Sequence, residues 1–140
     1  MAGLLPGNVY ELTENMLRRR DKLVPMAQIA LYRAQAAVQS AAPAARRKAE
    51  KRAARCEQAL IAARAWVGAI RLVERIFPES TEEGKLACLM YQDGMSLNQA
   101  ARVLGIRRQT ASRKKDNFIG HLALIAASQG LISIGKKEAD

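Results

Sequence analysis

The sequence is poor in the residues that build metal centres and disulfide scaffolds. It has two cysteines, Cys56 and Cys88, and one histidine, His121, among its 140 residues. These residues are too few for a four-ligand structural zinc site, and the cysteines are too far apart for a CxxC redox pair. We therefore expect no metal and no cofactor. We interpret both cysteines as small buried side chains and His121 as a structural residue.

The sequence patterns of common catalytic sites are also missing. The chain has no Gly-rich phosphate-binding loop, no GxSxG elbow and no HExxH pair. Adjacent carboxylates occur at Glu82 and Glu83, where acids in the first turn of a helix interact favourably with the helix dipole. These absences predict a protein that is not an enzyme and has no catalytic residues.

Long apolar runs are absent as well. The longest purely apolar stretch, Leu122 to Ala127, is far shorter than the roughly 20 residues that a membrane-spanning helix needs. No apolar run of signal-peptide type is visible near the N-terminus. We expect a cytoplasmic protein with reduced thiols and no membrane partner.

Acidic residues are scarce relative to basic ones. Thirteen Asp and Glu oppose 23 Lys and Arg, which gives a formal net charge of +10 and predicts attraction to polyanions. Alanine is the commonest residue, with 26 positions, whereas aromatics make up 4% and prolines number four. This composition, together with the lack of alternating apolar and polar segments, predicts an all-α fold.

The prolines and glycines divide the chain into predicted helices. One helix is expected from about Val9 to Arg20, a second begins at Pro25 and runs to about Ser40, and a third spans 44–77. The third helix carries an apolar stripe around Trp66, which we interpret as core or dimer interface. Its members are Leu60, Ala63, Val67, Ile70, Val73 and Phe77.

Pro78 is the predicted domain boundary, because a residue before proline is pushed out of helical geometry. Residues 1–78 carry 14 basic and 6 acidic side chains and are interpreted as a helical oligomerisation or partner-binding region. Residues 79–130 are interpreted as a second helical domain opened by a capping box of Ser80 and Glu83, and 131–140 as a C-terminal tail. The basic run from Arg46 to Arg55 has two open interpretations: a solvated helix face, or a surface that contacts nucleic acid or RNA polymerase.

The segment from Asp93 to Phe118 has the spacing of a helix-turn-helix. Gly94 can end one helix in the left-handed conformation. Ser96 and Gln99 form a second predicted capping box. Gly105 then supplies a tight turn, so two short helices are expected on either side of it.

The residues around this turn fit two crossing helices. Ala101 lies four positions before Gly105, where a large side chain would keep the helices apart, and Ile106 is expected to fill the corner. Arg108 is expected to begin the second helix, whose core positions would be Ala111, Phe118 and Ile119. Its opposite face would then point outward, as in a major-groove reader. We therefore interpret residues 79–130 as a helix-turn-helix DNA-binding domain.

The outward face carries the side chains that recognise DNA. Arginine can pair bidentately with guanine and glutamine with adenine, so we predict base contacts from the helix between about Arg107 and Ile119. The predicted base-contacting residues are Arg107, Arg108, Gln109, Ser112 and Arg113. The predicted phosphate-contacting residues, which supply affinity and register, are Arg102, Thr110, Lys114 and Lys115.

The stretch from Leu89 to Leu124 resembles the helix-turn-helix of bacterial sigma-factor region four and of related response-regulator output domains. The shared positions are Tyr91, Gly94, Met95, Ser96, Ala100, Ala101, Leu104, Gly105, Ile106, Thr110 and Arg113. The whole chain resembles phage late-gene transcriptional regulators of the RinA and ArpU type, and less closely the phage antitermination proteins called Q. It departs from them at Arg107, where a capping Ser is usual, and at Ala111, where Val is usual.

The resemblance implies a phage- or prophage-encoded transcriptional regulator that reads double-stranded DNA in a bacterial host. Such proteins usually dimerise to read two half-sites, and the 60–77 helix or the N-terminal helices would form the dimer surface. Two alternatives stay open: an antitermination factor that contacts DNA and RNA polymerase, and a small-terminase-like packaging protein. A cationic membrane-surface helix at 44–60 is a remote alternative, because that stretch lacks a large apolar face.

Overall fold

The computed structural model describes residues 5–133, which fold into six α-helices and one π-helical turn, without a strand among them. The all-α class predicted from composition is confirmed. The helices are α1 (Gly7–Arg18), α2 (Arg20–Ser40), α3 (Pro43–Ile76), α4 (Glu82–Ala87), α5 (Leu97–Leu104) and α6 (Arg108–Ser128). The π-helical turn, Cys88–Gln92, continues directly from α4.

The long helix predicted between Pro43 and Pro78 is confirmed. α3 has 34 residues and begins at Pro43, where a missing N–H costs nothing because the first helical N–H groups have no partner within the helix. Its apolar stripe is core in the single chain, because Trp66 is buried and Ile70 and Val73 are fully buried. The stripe is therefore not an exposed surface that could pair two copies without rearrangement.

The second helix begins earlier than the sequence indicated. α2 starts at Arg20, five residues before Pro25, and a single non-helical residue, Arg19, separates it from α1. Pro25 therefore lies inside the helix, where it cannot donate a hydrogen bond to the carbonyl of Asp21 and its ring crowds that carbonyl. Burial of Leu23 in the preceding turn stabilises this start.

The capping-box pattern indicated Ser80 as the N-cap of α4, but the N-cap is Thr81. The Thr81 hydroxyl accepts a 3.0 Å hydrogen bond from the Gly84 N–H and donates one of 2.7 Å to the carbonyl of Pro78. Gly84 is buried, and a Cβ there would overlap the backbone carbonyls of Phe77 and Pro78. The Thr81 hydroxyl therefore both caps α4 and bonds to the closely packed turn at Pro78.

The chain divides into two compact units, and the division does not follow the expected boundary at Pro78. Among the described residues, one unit contains 5–18 and 68–133, and the other contains Arg19–Val67. α1 belongs with the C-terminal helices because it packs against α6. Of the expected tail at 131–140, residues 134–140 lie outside the described part of the chain.

α6 is the central helix of the first unit and packs against α1, α4 and α5. Its second half is buried around Phe118, whose ring centroid lies 6.0 Å from that of Phe77. His121 is exposed, meets the Phe77 ring edge-on at 4.9 Å, and has its Nδ1 2.8 Å from the carbonyl oxygen of Asn117. Cys56 and Cys88, which we expected to be buried, are both free and only partly buried.

Candidate nucleic-acid interface

A small alanine-rich core fixes α5 against α6. Ala100 and Ala101 of α5 and Ala111 of α6 are buried together with Leu86 and Met90. Because three of these five side chains are alanines, the two helices approach each other closely. Larger residues close the edges of this core: Leu89, Tyr91, Met95, Leu97, Leu104 and Ile106. The expectations that Ala101 allows the crossing and that Ile106 fills the corner are both confirmed.

The start of α5 has the predicted local geometry. Gly94 adopts a φ of +74°, which lets the N–H of Met95 donate to the carbonyl of Leu89 at 3.0 Å and closes the preceding helix. The Ser96 hydroxyl accepts from the Gln99 N–H at 3.1 Å, and the Gln99 side chain accepts from the Ser96 N–H at 3.0 Å. The reciprocal capping box therefore fixes where α5 begins.

The turn between α5 and α6 follows from one glycine. Gly105 has a φ of +68°, and the N–H of Ile106 returns to the carbonyl of Ala101 at 3.0 Å. Arg107 then adopts an extended conformation as the N-cap of α6 and makes no side-chain capping bond. The missing cap agrees with the presence of an arginine in place of a short hydroxyl residue, and it leaves the Arg107 guanidinium directed to solvent.

Most of the predicted base-contacting side chains lie on the surface at the start of α6. Arg107, Arg108, Gln109 and Arg113 are exposed, whereas Ser112 is partly buried. Within residues 5–133 none of these three arginines forms an ion pair with a carboxylate. Their donors therefore face solvent in the single chain.

One further side chain shares this surface. Asn117 is exposed and follows Gln109 and Arg113 at successive steps of four residues, so the three project from one side of α6. Asparagine can pair bidentately with adenine, as glutamine can. Asn117 was not among the residues predicted from the sequence, although its four-residue spacing from Arg113 was a signal that could have found it.

Two of the predicted phosphate-contacting lysines are held in ion pairs. The Lys114 ammonium lies 3.1 Å from a carboxylate oxygen of Glu82 and 3.7 Å from one of Glu83, and the hydrogen bond to Glu82 raises its pKa. Lys115 lies 3.4 Å from Glu14. These lysines connect α6 to α4 and to α1, whereas Arg102 is exposed on α5 and Thr110 is partly buried.

A cluster of charged and phenolic groups joins α1 to the site. Glu14 of α1 accepts a 2.6 Å hydrogen bond from the Tyr91 hydroxyl and lies 3.2 Å from Arg18. Burial acts to raise the pKa of Glu14, but the bond from Tyr91 and the charges of Lys115 and Arg18 outweigh it, so the pKa is lowered. The carboxylate is thus ionised at neutral pH.

A second contact strengthens the same junction. The Tyr10 hydroxyl of α1 donates a 2.7 Å hydrogen bond to Asp116 of α6, and the Lys115 ammonium lies 5.5 Å from the centre of the Tyr10 ring. Burial and these carboxylate partners raise the pKa of Tyr10 and of Tyr91, so both phenols stay protonated as donors. The first helix therefore contacts the middle of α6 through Lys115 and Asp116, and not through Arg113 or Asn117.

We found no protein-family model, curated protein or solved structure that matches this chain. Among residues 5–133, no group of three or more His, Cys, Asp and Glu side chains is arranged to hold a metal ion. In the same part of the chain, none of the helices combines the length and apolarity needed to cross a membrane.

Proposed function

We propose that this protein is a sequence-specific double-stranded DNA-binding transcriptional regulator, and that α5, the Gly105 turn and α6 form its helix-turn-helix. The observation that carries the proposal is the set of exposed side chains on the first turns of α6. These side chains are exposed, and their arginines form no ion pair with a carboxylate among the described residues. They are Arg107, Arg108, Gln109 and Arg113. A helix that presents Arg and Gln in this way fits the major groove and can read guanine and adenine.

The roles of the remaining residues follow from their surroundings. Arg102 is exposed on α5 and suits a phosphate contact beside the groove. Lys114 and Lys115 are paired with acids of α4 and α1, so in the proposal they chiefly orient α6 and contribute less to phosphate binding than we expected from the sequence. Asn117 extends the reading face by one turn.

The proposal includes a homodimer, because one small reading unit makes too few base contacts for selective binding. α2 offers an exposed apolar row for it: Met26 is 53% exposed, Ile29 50% and Tyr32 70%. Ile29 and Tyr32 lie on the side of α2 away from the buried Leu23 and Ala34, and Met26 lies between the two sides. Two copies that pair through this row would remove it from water.

The dimer has its own test in solution. Replacing Ile29 and Tyr32 by Glu should convert the dimer to a monomer in sedimentation at micromolar concentration. The matched control replaces Val103 and Leu124 by Glu, because both residues are 60% exposed and lie outside α2. An unchanged sedimentation coefficient for the α2 variant would remove this row from the proposal.

By resemblance, the gene would belong to a phage or prophage, and the protein would act in the cytoplasm of the bacterial host as a DNA-binding protein without enzymatic activity. RNA polymerase is a further partner in this proposal, because late-gene regulators act at promoters.

The deciding experiment is a selection of bound duplexes from a random-sequence DNA pool at near-physiological salt, with the mass of the selected complex measured by light scattering. An enriched paired half-site bound by two chains is the expected result. Binding without enrichment would contradict sequence reading by α6 and would favour phosphate-driven attachment, as in a packaging protein or a polymerase-tethered antitermination factor.

A further inference from the structure

The first half of α3 carries a second basic surface, which the proposed function does not use. Five exposed cations follow one another at positions i, i+1, i+4, i+5 and i+8 of this helix. At 100° per residue they fall within an arc of about 140°. They are Arg47, Lys48, Lys51, Arg52 and Arg55, and we refer to them as the α3 basic stripe.

The α3 basic stripe lies on the side of the helix away from the packed residues. Ala49, Ala53 and Cys56 are partly buried, and Leu60 is buried one turn further on. Helical spacing sets these positions on the opposite side from Lys51. The stripe therefore faces solvent in the compact unit that contains Arg19–Val67.

No acid interrupts the stripe. Glu50 and Glu57 of the same helix lie on another side, and Glu50 is 3.8 Å from Arg46, which is not a member. In the described part of the chain none of the five cations forms an ion pair. Like charges four residues apart repel each other, so the stripe weakens the helix that carries it. A face that served solubility alone would not need charges of a single sign.

We propose that the α3 basic stripe binds the phosphate backbone of duplex DNA without reading its sequence, as a contact separate from α6. From Arg47 to Arg55 the stripe extends about 12 Å, so its cations cannot converge on one small anion. Duplex DNA carries about seven phosphate charges over the same length. The regular spacing of cations along about two turns of helix matches a linear array of charges.

Two other polyanionic partners fit the stripe less well. A membrane surface would need large apolar side chains next to the cations, whereas the preceding, intervening and following positions on this side are Ala44, Ala54 and Gln58. An acidic protein offers no regular linear array of charges. The choice of DNA over an acidic protein also rests on the proposed function, and the experiment separates the two.

The test compares the full-length chain with two triple variants of α3. The stripe variant is Arg47→Gln, Lys51→Gln and Arg55→Gln. The control variant is Arg46→Gln, Arg64→Gln and Arg71→Gln, which removes three exposed charges from another side of the same helix. Because the stripe variant removes repulsion between like charges, it should melt at or above the temperature of the wild type.

The measured quantity is the dependence of the binding constant on salt, with a 30-base-pair duplex of mixed sequence as the probe. The stripe variant should lower the slope of log K against log salt by about 0.9 for each phosphate that it no longer neutralises, or about 2 to 3 in all. The control should keep the wild-type slope to within about 1. Equal slopes for the wild type and the stripe variant would overturn the proposal.

The same measurements in an Arg108→Gln, Arg113→Gln background separate this proposal from the function proposed for α6. The stripe substitutions should lower the slope equally there, while in the stripe variant the base preference of α6 should persist at reduced affinity. If the stripe variant loses the base preference of α6 but keeps the wild-type slope of log K against log salt, the proposal for the α3 basic stripe is contradicted and the function proposed for α6 is not. Stripe-dependent binding to phosphatidylserine vesicles or to polyglutamate, without an effect on the duplex, would also overturn it.

Discussion

The hydroxyl of Tyr91 donates a 2.6 Å hydrogen bond to the carboxylate of Glu14, which ties the π-helical turn to the first helix. The same carboxylate lies 3.4 Å from Lys115 of α6. Three elements that are far apart in the sequence therefore meet at one acidic side chain. Because α6 carries the candidate DNA-reading face, α1 contributes to the orientation of that face without lying on it.

Removing the Tyr91 hydroxyl should destabilise the protein. In Tyr91→Phe the ring remains packed, but Glu14 loses a hydrogen bond to a partly buried charge, which is worth about 1.5–3 kcal/mol of unfolding free energy. Ser80→Ala is the control, because it removes an exposed hydroxyl that does not cap α4 and should unfold like the wild type. Urea unfolding measures both, and equal losses in the two variants would contradict the assigned role of Glu14.

The charge of Glu14 gives a pH-dependent stability. Its pKa is lower in the folded chain than its ordinary value of 4.5, so the carboxylate binds fewer protons when folded and stabilises the fold above that pH. This contribution is lost as the pH falls through 4.5 and then through the folded value. Glu14→Gln keeps an acceptor for Tyr91 but removes the charge.

The difference in unfolding free energy between the wild type and Glu14→Gln should therefore be largest near pH 7 and shrink towards pH 3. Glu11→Gln supplies the control, because Glu11 is an exposed acid of the same helix. A difference for Glu14→Gln that stays constant, or grows, as the solution is acidified would show that the charge does not stabilise this junction.

The two hydroxyl residues before α4 should differ in their effect on stability. Thr81→Ala removes the side chain that accepts from the Gly84 N–H and should cost about 1 kcal/mol. Ser80→Ala should be nearly neutral, because the exposed Ser80 does not cap the helix. Thermal unfolding distinguishes the two, and the reverse order would restore the Ser80 capping box.

Local sequence signals were sufficient to predict the geometry around α5, because the interactions that fix it are short in range. Gly94, Ser96, Gln99 and Gly105 act on backbone groups within a few residues, so the residue types fix the geometry directly. The choice of Thr81 over Ser80 was missed because Ser80 has a glutamate three residues on, Glu83, whereas Thr81 has Gly84 there, so the capping-box pattern favours Ser80. The close packing of Gly84 against the turn at Pro78 is not visible in a local pattern.

Contacts between distant segments could not be predicted in this way. Lys114 and Lys115 look like free cations beside Arg113 in the sequence, yet their partners Glu82 and Glu14 come from helices whose packing against α6 depends on the whole fold. The division of the compact units was missed for the same reason, since nothing local links α1 to residues beyond Pro78.

Two glycines in helices should respond to alanine in opposite directions. Gly84→Ala introduces a Cβ that overlaps two backbone carbonyls at Phe77 and Pro78, so α4 or the turn must shift, at a cost of about 1–3 kcal/mol. Gly68 has no heavy atom within 4 Å of a built Cβ, and Gly68→Ala should stabilise α3 by about 0.5–1 kcal/mol. Chemical unfolding of both variants checks the pair, and stabilisation by Gly84→Ala would contradict the close approach at Pro78.

Arg113 offers the most direct test of the reading face, because it is exposed, has no ion pair among the described residues and lies between Gln109 and Asn117 on one side of α6. If its guanidinium reads a guanine, Arg113→Ala should cost about 1–3 kcal/mol at one or two base pairs of the selected site and little on other sequences.

Lys85→Ala is the control, since it removes one exposed charge from α4 in the same compact unit. It should weaken binding to every sequence alike or leave binding unchanged. Competition between the selected duplex and single-base variants measures the difference. A uniform loss for Arg113→Ala, with the preference at every base pair retained, would assign Arg113 to a phosphate instead.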